Sequence, residues 1–161
     1  MKNIVLARVD DRLIHGQILS GWALKLQINV IWIIDDALAK DKLTQRMLRA
    51  VVPRHYQFYV FSVAKAAAML QGEALAKERI LLLVKSPVYF YQLIEAGCVI
   101  PSINLGGMGM HDDRRPFFRN LSCNEDEKHV LQQMSLQGVE IYYQLVPGQK
   151  KIDMKNLLEN E

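Results

Sequence analysis

The chain has few of the features that mark secreted, metal-binding or membrane-spanning proteins. It contains only two cysteines, Cys98 and Cys123, too few for a disulfide framework, and it has no CxxC pair or His/Cys cluster at metal-ligand spacing. Its apolar runs are strand-sized, and the run at residues 4–7 is too short for a signal peptide or a membrane helix. We therefore predict a soluble, intracellular protein with reduced thiols and no metal or other cofactor.

The charge balance disfavours nucleic acid as a partner. The chain has 20 basic and 17 acidic residues, a formal net charge of +3, and the basic residues look scattered rather than gathered into a stripe. Half of the 161 residues are hydrophobic, and no linker, repeat or low-complexity tract interrupts them. Residues 1–161 are therefore predicted to form a single domain with a full core.

Hydrophobic periodicity predicts alternating strands and helices. Short apolar runs, typical of strands buried on both faces, occupy residues 4–9, 30–34, 57–61, 80–84, 103–105 and 139–145. Helical spacing occupies residues 16–26, 40–51, 63–70, 89–96 and 125–137, with a last turn at residues 154–158. This alternation predicts an α/β fold with a mainly parallel central sheet and helices on both faces, antiparallel pairing being allowed at its edges.

The loop after the first predicted strand is the first place to look for chemistry, because ligands gather at the carboxyl ends of strands in such sheets. Two arginines, two aspartates and a histidine lie close together there, and a glycine and a glutamine follow at the predicted helix start. These residues are Arg8, Asp10, Asp11, Arg12, His15, Gly16 and Gln17.

These residue types suit phosphoryl transfer. The imidazole of His15 is a good nucleophile near neutral pH, and its phosphoramidate stays reactive enough to pass the group on. An arginine fork binds phosphate oxygens, and a carboxylate can hold that arginine or fix the imidazole tautomer. Gly16 at a helix start would let backbone N–H groups approach a phosphate. The competing interpretation is a surface histidine within an exposed ion-pair network that contributes little.

Residues 8–17, RVDDRLIHGQ, resemble the opening motif of the IIB components of the bacterial sugar phosphotransferase system, mannose/fructose/sorbose type. Similar stretches follow at Asp35-Asp36, at Lys85-Ser86-Pro87 and at residues 103–108, INLGGM. Many members have Gly-Asn-Met-His where this chain has residues 106–109, GGMG, which looks more like the sorbose-type members. The resemblance covers nearly the whole chain.

This resemblance implies an activity and a set of partners. His15 would accept phosphate at Nδ1 from the histidine of a separate IIA protein. It would then pass the phosphate to a sugar moving through the membrane components IIC and IID. The protein would thus work in the cytoplasm, held at the inner face of the membrane by IIC and IID. Arg12 would contact the phosphate, and Asp10 would orient Arg12. Arg8, Gly16 and Gln17 would bind phosphate or orient the site.

Because two visiting proteins would have to reach His15, we expect a shallow site with a docking rim. That rim would include Asp11, together with Met108 and Met110, since methionine suits a surface that meets several partners. The sequence is compatible with a homo-oligomer as well as with a monomer. The alternatives are a regulatory or binding module that has lost transfer, and an unrelated enzyme on the same plan.

Two further groups of residues have competing interpretations. Other IIB families use a phosphocysteine at the end of the first strand, but Cys98 and Cys123 lie elsewhere and are predicted to be ordinary small residues. Residues 111–115, HDDRR, are interpreted as a solvated loop tip, with a docking rim for a charged partner as the alternative.

Overall fold

A seven-stranded sheet forms the centre of the computed structural model, which describes residues 1–160. Its strand order is β3-β2-β4-β1-β5-β8-β9, and all neighbours are parallel except β8 and β9, which are antiparallel. A separate antiparallel pair, β6-β7, lies between β5 and the following helix. The strands are β1 Ile4–Asp10, β2 Val30–Ile34, β3 Gln57–Phe61, β4 Ile80–Val84, β5 Ser102–Gly107, β6 Arg115–Phe118, β7 Leu121–Cys123, β8 Glu140–Tyr143 and β9 Ile152–Asp153.

Four of the five α-helices begin at a residue whose side chain caps a free N–H group. Asp41, Ser62, Ser86 and Asn124 each accept a hydrogen bond from a first-turn backbone N–H. The α-helices are α1 Lys42–Val51, α2 Val63–Leu70, α3 Pro87–Glu95, α4 Glu125–Leu136 and α5 Lys155–Glu159. A π-helix, Gln17–Ala23, follows β1, and a 3-10 turn, Leu38–Lys40, precedes α1. None of the helices within residues 1–160 is long and apolar enough to cross a membrane.

Hydrophobic clusters cover both faces of the sheet. Residues of α2, α3, α4 and α5 pack on one face, and the π-helix packs on the other. β1 alternates between them, because Ala7 and Val9 join the first cluster while Leu6 joins the second. The predicted α/β fold, its parallel sheet and its antiparallel edge are therefore confirmed.

The structure departs from the predicted pattern in two places. The short strands β6, β7 and β9 are not predicted, because β6 carries a proline and none of the three is long enough to show periodicity. Helix α1 is found near its predicted position, yet none of its residues is fully buried: Leu48 packs partly against the core, while Leu43, Met47 and Val51 are exposed.

Candidate active site

The carboxylate of Asp10, at the end of β1, gathers three of the predicted side chains. Its Oδ1 accepts hydrogen bonds from the backbone N and Nε of Arg12, at 3.1 and 3.2 Å. Its Oδ2 accepts from Nη2 of Arg12 and Nη2 of Arg8, both at 3.2 Å, and lies 2.9 Å from Nε2 of His15. Asp10 itself is fully buried, so it forms a fixed anionic centre for the loop.

The contact with Asp10 decides which nitrogen of His15 is free. A carboxylate can only accept, so Nε2 of the neutral ring carries the proton that is donated to Oδ2. Nδ1 is then left with its lone pair. The side chain of His15 is 17% exposed, so the ring reaches the protein surface.

The charges around Asp10 keep its carboxylate ionised. Burial alone would raise the pKa of Asp10, but hydrogen bonds from Arg12 and His15, together with the positive charge of Arg8, outweigh burial and lower that pKa below its ordinary value. The carboxylate therefore stays charged at neutral pH and continues to hold the imidazole proton on Nε2.

Arg12 joins this buried anion to the surface. Its guanidinium meets Asp10 through Nε and Nη2, a two-pronged contact that fixes the plane of the fork. The side chain is 50% exposed, and among residues 1–160 no hydrogen bond uses its Nη1. The outer edge of the fork is thus available to an anion beside His15.

Arg8 cannot bind phosphate directly, so of its two predicted roles only orientation fits. Its side chain is fully buried, and its guanidinium donates to Oδ1 of Asn104, to the backbone oxygens of Gln144 and Leu145, and to Asp10. It also lies over the ring of Trp22, 5.3 Å from the ring centroid. Arg8 therefore holds Asp10 from the protein interior, where a phosphate at the surface cannot reach it.

Two glycines of β5 make room for this buried cluster. A Cβ atom at Gly106 would lie 2.0 Å from Cζ of Arg8, and one at Gly107 would lie 2.6 Å from Oδ1 of Asp10. Asn104 on the same strand binds Arg8, so three residues of the stretch INLGGM accommodate the buried cluster. The sequence analysis did not link this stretch to Arg8.

The rest of the loop is anchored by Leu13, whose side chain is buried although its backbone has a φ of 56°. Gly16 and Gln17 are exposed at the start of the π-helix, and neither lies in the Asp10 cluster. Gly16 has ordinary helical torsions and open space at its Cβ position, so the fold alone does not require glycine there.

The structure separates the two methionines that were predicted for the docking rim. Met110 is exposed, but Met108 is buried in the core beneath the loop, so its place on the rim is wrong. Asp11 is partly exposed and turns away from Asp10: its Oδ2 accepts from the backbone N of Gly109 at 2.8 Å and from Nη1 of Arg114 at 2.9 Å.

Arg114 is the residue that sequence reasoning missed. The interpretation of residues 111–115 as a solvated tip fits the exposed His111 and Asp112, but Arg114 is buried. Its Nε and Nη2 each lie 2.9 Å from an oxygen of the buried Glu127, and its Nη1 reaches Asp11. Arg114 thereby ties the His15 loop to helix α4. Glu127 also forms a capping box with Asn124 at the start of α4, and nothing in the sequence pointed to its arginine partner.

The two cysteines lie outside this site. Both are buried and unpaired, and burial raises the pKa of each thiol, that of Cys123 to about 11. Since only the thiolate is nucleophilic, their surroundings fit the ordinary packing role that was predicted.

Comparison with known proteins identifies the family. The family model described as the PTS system sorbose subfamily IIB component matches residues 4–161. The chain belongs to this family. It is therefore a IIB component of the mannose/fructose/sorbose class of the phosphotransferase system, and takes part in sugar phosphotransfer.

Individual relatives agree with this assignment. The chain is 32% identical over 160 residues to the fructose-specific EIIB component of Bacillus subtilis, covering 99% of this chain and 98% of that protein. It is 30% identical over 155 residues to the mannose-specific EIIAB component of Escherichia coli K12, covering 96% of this chain but only 48% of that longer protein. Their names differ in sugar, so they do not decide which sugar this IIB component serves.

Solved structures support the fold. A structure titled phosphoenolpyruvate-dependent phosphotransferase system superposes with a TM-score of 0.89 at 32% identity, covering 98% of each chain. The IIB domain of the sorbose permease from Klebsiella pneumoniae also gives a TM-score of 0.89, at 24% identity, covering 98% of this chain and 97% of that one. At that identity the second likeness shows the fold alone.

Proposed function

We propose that this IIB component carries phosphate on Nδ1 of His15, taking it from the phosphohistidine of a IIA protein and giving it to a sugar presented by IIC and IID. The observation that supports this most is the 2.9 Å contact between Nε2 of His15 and Asp10, because it leaves the lone pair on Nδ1 available in a side chain that is 17% exposed. Such a carrier would work in the cytoplasm at the inner face of the membrane.

In the first step, the lone pair on Nδ1 of His15 attacks the phosphorus of the donor. The bond from phosphorus to the donor nitrogen breaks, and its electron pair returns to the donor imidazole. Because Nε2 of His15 keeps its proton, the phosphorylated ring becomes cationic. The buried carboxylate of Asp10 balances that charge at hydrogen-bond distance.

The phosphoryl oxygens carry negative charge throughout the transfer, and Arg12 is placed to meet it. Half of its side chain is exposed, while its Nε and Nη2 remain held by Asp10. A fork fixed in this way stabilises transferring phosphoryl oxygens without having to reorganise first.

In the second step, a sugar hydroxyl oxygen attacks phosphorus and releases its proton to water. The bond from phosphorus to Nδ1 breaks and returns its electron pair to the ring of His15. Because Nε2 keeps its proton, the ring leaves phosphorus as neutral imidazole, a good leaving group, so the Asp10 contact that stabilises the carrier also keeps it ready to discharge.

The test follows label from phosphoenolpyruvate through the general carrier and a cognate IIA protein. Wild type should acquire acid-labile, base-stable label, and His15→Ala should acquire none. His55→Ala and His129→Ala, which alter exposed histidines, are matched controls and should label normally. Label that persists in His15→Ala refutes the carrier proposal. Label that forms on wild type but is not discharged by sugar, in membranes bearing IIC and IID, would indicate a regulatory module instead.

A further inference from the structure

Helix α1 presents a row of large apolar side chains to solvent. Leu43, Met47 and Val51 are 64%, 63% and 58% exposed, and they are spaced four residues apart, so they lie along one stripe of the helix. Exposed apolar residues in a contiguous row indicate a contact surface.

The same segment concentrates positive charge, although the basic residues look scattered along the sequence. Residues 40–54 contain five basic side chains and one acidic side chain, which is a larger positive balance than the +3 of the whole chain. The single acid, Asp41, is occupied with capping the helix at Thr44. The basic side chains are Lys40, Lys42, Arg46, Arg49 and Arg54.

This charge argues against a second copy of the chain as the occupant. The neighbouring strand β3 is an edge of the sheet, so two copies could meet there about a two-fold axis. A two-fold axis brings the same surface together from both sides, so the basic side chains of this segment would be crowded together across the interface. The like charges disfavour that arrangement and favour an anionic partner.

We infer that α1 contacts the anionic surface of a lipid bilayer directly. Leu43, Met47 and Val51 would enter the interfacial region, and the exposed basic side chains of the segment would lie on the headgroup phosphates. Those side chains are Lys40, Lys42, Arg46 and Arg54. This combination of an apolar stripe and basic flanks is typical of helices that lie in the plane of a membrane interface. The contact is separate from any protein contact with IIC and IID.

The topology makes this contact compatible with an open site. Helix α1 connects the parallel neighbours β2 and β3, so it runs antiparallel to them. It therefore begins beside the carboxyl ends of the strands, which is where His15 also lies. When α1 lies flat on a membrane, the strands run parallel to the membrane plane. The carboxyl ends of the strands, with His15, then point along the membrane plane, where other proteins can reach them.

Flotation of the full chain with lipid vesicles tests this inference without any phosphotransfer step. We expect binding to vesicles that contain phosphatidylglycerol, weak binding to phosphatidylcholine alone, and loss of binding as salt rises. Lys42→Gln/Arg46→Gln, which alter two exposed basic side chains of α1, should weaken binding by about five-fold for each charge removed. Leu43→Gln/Met47→Gln should also weaken it. Leu136→Gln, which alters an apolar residue of α4 that is 65% exposed, is the matched control and should bind as wild type does.

Circular dichroism should show that all variants are folded. The inference is overturned if wild type does not float with anionic vesicles, if it binds both vesicle types equally, or if folded α1 variants bind as wild type does. Loss of phosphate uptake from a IIA donor in variants that still bind vesicles would assign α1 to a protein partner instead. Failure of the His15 carrier proposal would leave vesicle binding unchanged, so the two results can be told apart.

Discussion

Replacing Asp10 by asparagine should separate the chemistry of the site from its shape. Asparagine has nearly the same volume, but it removes the charge and puts an amide NH₂ in place of one carboxylate oxygen. If that NH₂ replaces Oδ2, it faces Nε2 of His15, and the ring must accept there and carry its proton on Nδ1. The nucleophilic lone pair is then lost.

The size of the effect on rate follows from this change of tautomer. Asp→Asn substitutions that reverse the tautomer of a catalytic histidine lower rates by up to about 10⁴-fold, and general-base effects amount to about 10²-fold or more. We expect phosphoryl transfer to His15 in Asp10→Asn to fall by about 10²–10⁴-fold, measured by rapid quench with labelled phospho-IIA.

Stability should fall as well, because Arg8 is fully buried and would lose its anion. Breaking a buried pair costs about 3–5 kcal/mol. Arg8 keeps acceptors on Asn104, Gln144 and Leu145, so we expect the free energy of unfolding to fall by about 2–4 kcal/mol.

The lowered pKa of Asp10 sets the pH dependence of this effect. The stability that ionised Asp10 contributes is present above its pKa in the unfolded chain, and it is lost as pH falls through its lower pKa in the folded protein. The stability difference between wild type and Asp10→Asn should therefore shrink in acid.

Asp41→Asn is the matched control, since Asp41 is exposed and asparagine caps a helix equally well. It should keep the rate of wild type and lose far less stability than Asp10→Asn does. The reasoning is refuted if Asp10→Asn transfers phosphate at the wild-type rate. It is also refuted if the free energy of unfolding falls with no loss of rate, since Asp10 would then be only structural.

Three further predictions follow from the surroundings of the site. Gly106→Ala should destabilise the fold by about 1–3 kcal/mol in urea denaturation, because the new Cβ collides with the guanidinium of Arg8. Arg114→Gln should cost about 3–5 kcal/mol in the same assay, because it leaves the carboxylate of Glu127 buried without its partner. Cys123, whose pKa is about 11, should resist alkylation at neutral pH in the folded protein and react once urea unfolds it, as measured by mass spectrometry.

Each of these has its own check. Gly148→Ala, where a Cβ meets nothing within 4 Å, should leave the urea midpoint unchanged, and an equal loss in both glycine variants would contradict the packing argument. Adding Glu127→Gln to Arg114→Gln should recover part of the loss, so strictly additive effects would show that the two residues are not coupled. Rapid alkylation of Cys123 in the native state would show that its thiol is neither buried nor inert.

The candidate site was partly predictable because its residues are close together in the chain. Asp10, Arg12 and His15 lie within one loop after a strand, and a strand end in a parallel sheet is where a ligand is expected. The resemblance to a family rests on the same loop. The stretch INLGGM at residues 103–108 could be recognised as a motif, but its purpose could not. Gly106 is needed only because Arg8, which is distant in sequence, lies beside it in the fold.

The sequence by itself determined the alternation of strands and helices, the parallel sheet and the loop proposed to accept phosphate, because periodicity and short-range motifs are local properties of the chain. Only the tertiary structure decided that Arg8 and Met108 are buried, that Arg114 joins Asp11 to Glu127, and that the apolar stripe of α1 faces solvent. Burial and ion pairing depend on which distant segments meet, and residues as far apart as Asp11 and Arg114 leave no mark of their contact in the local pattern of either segment.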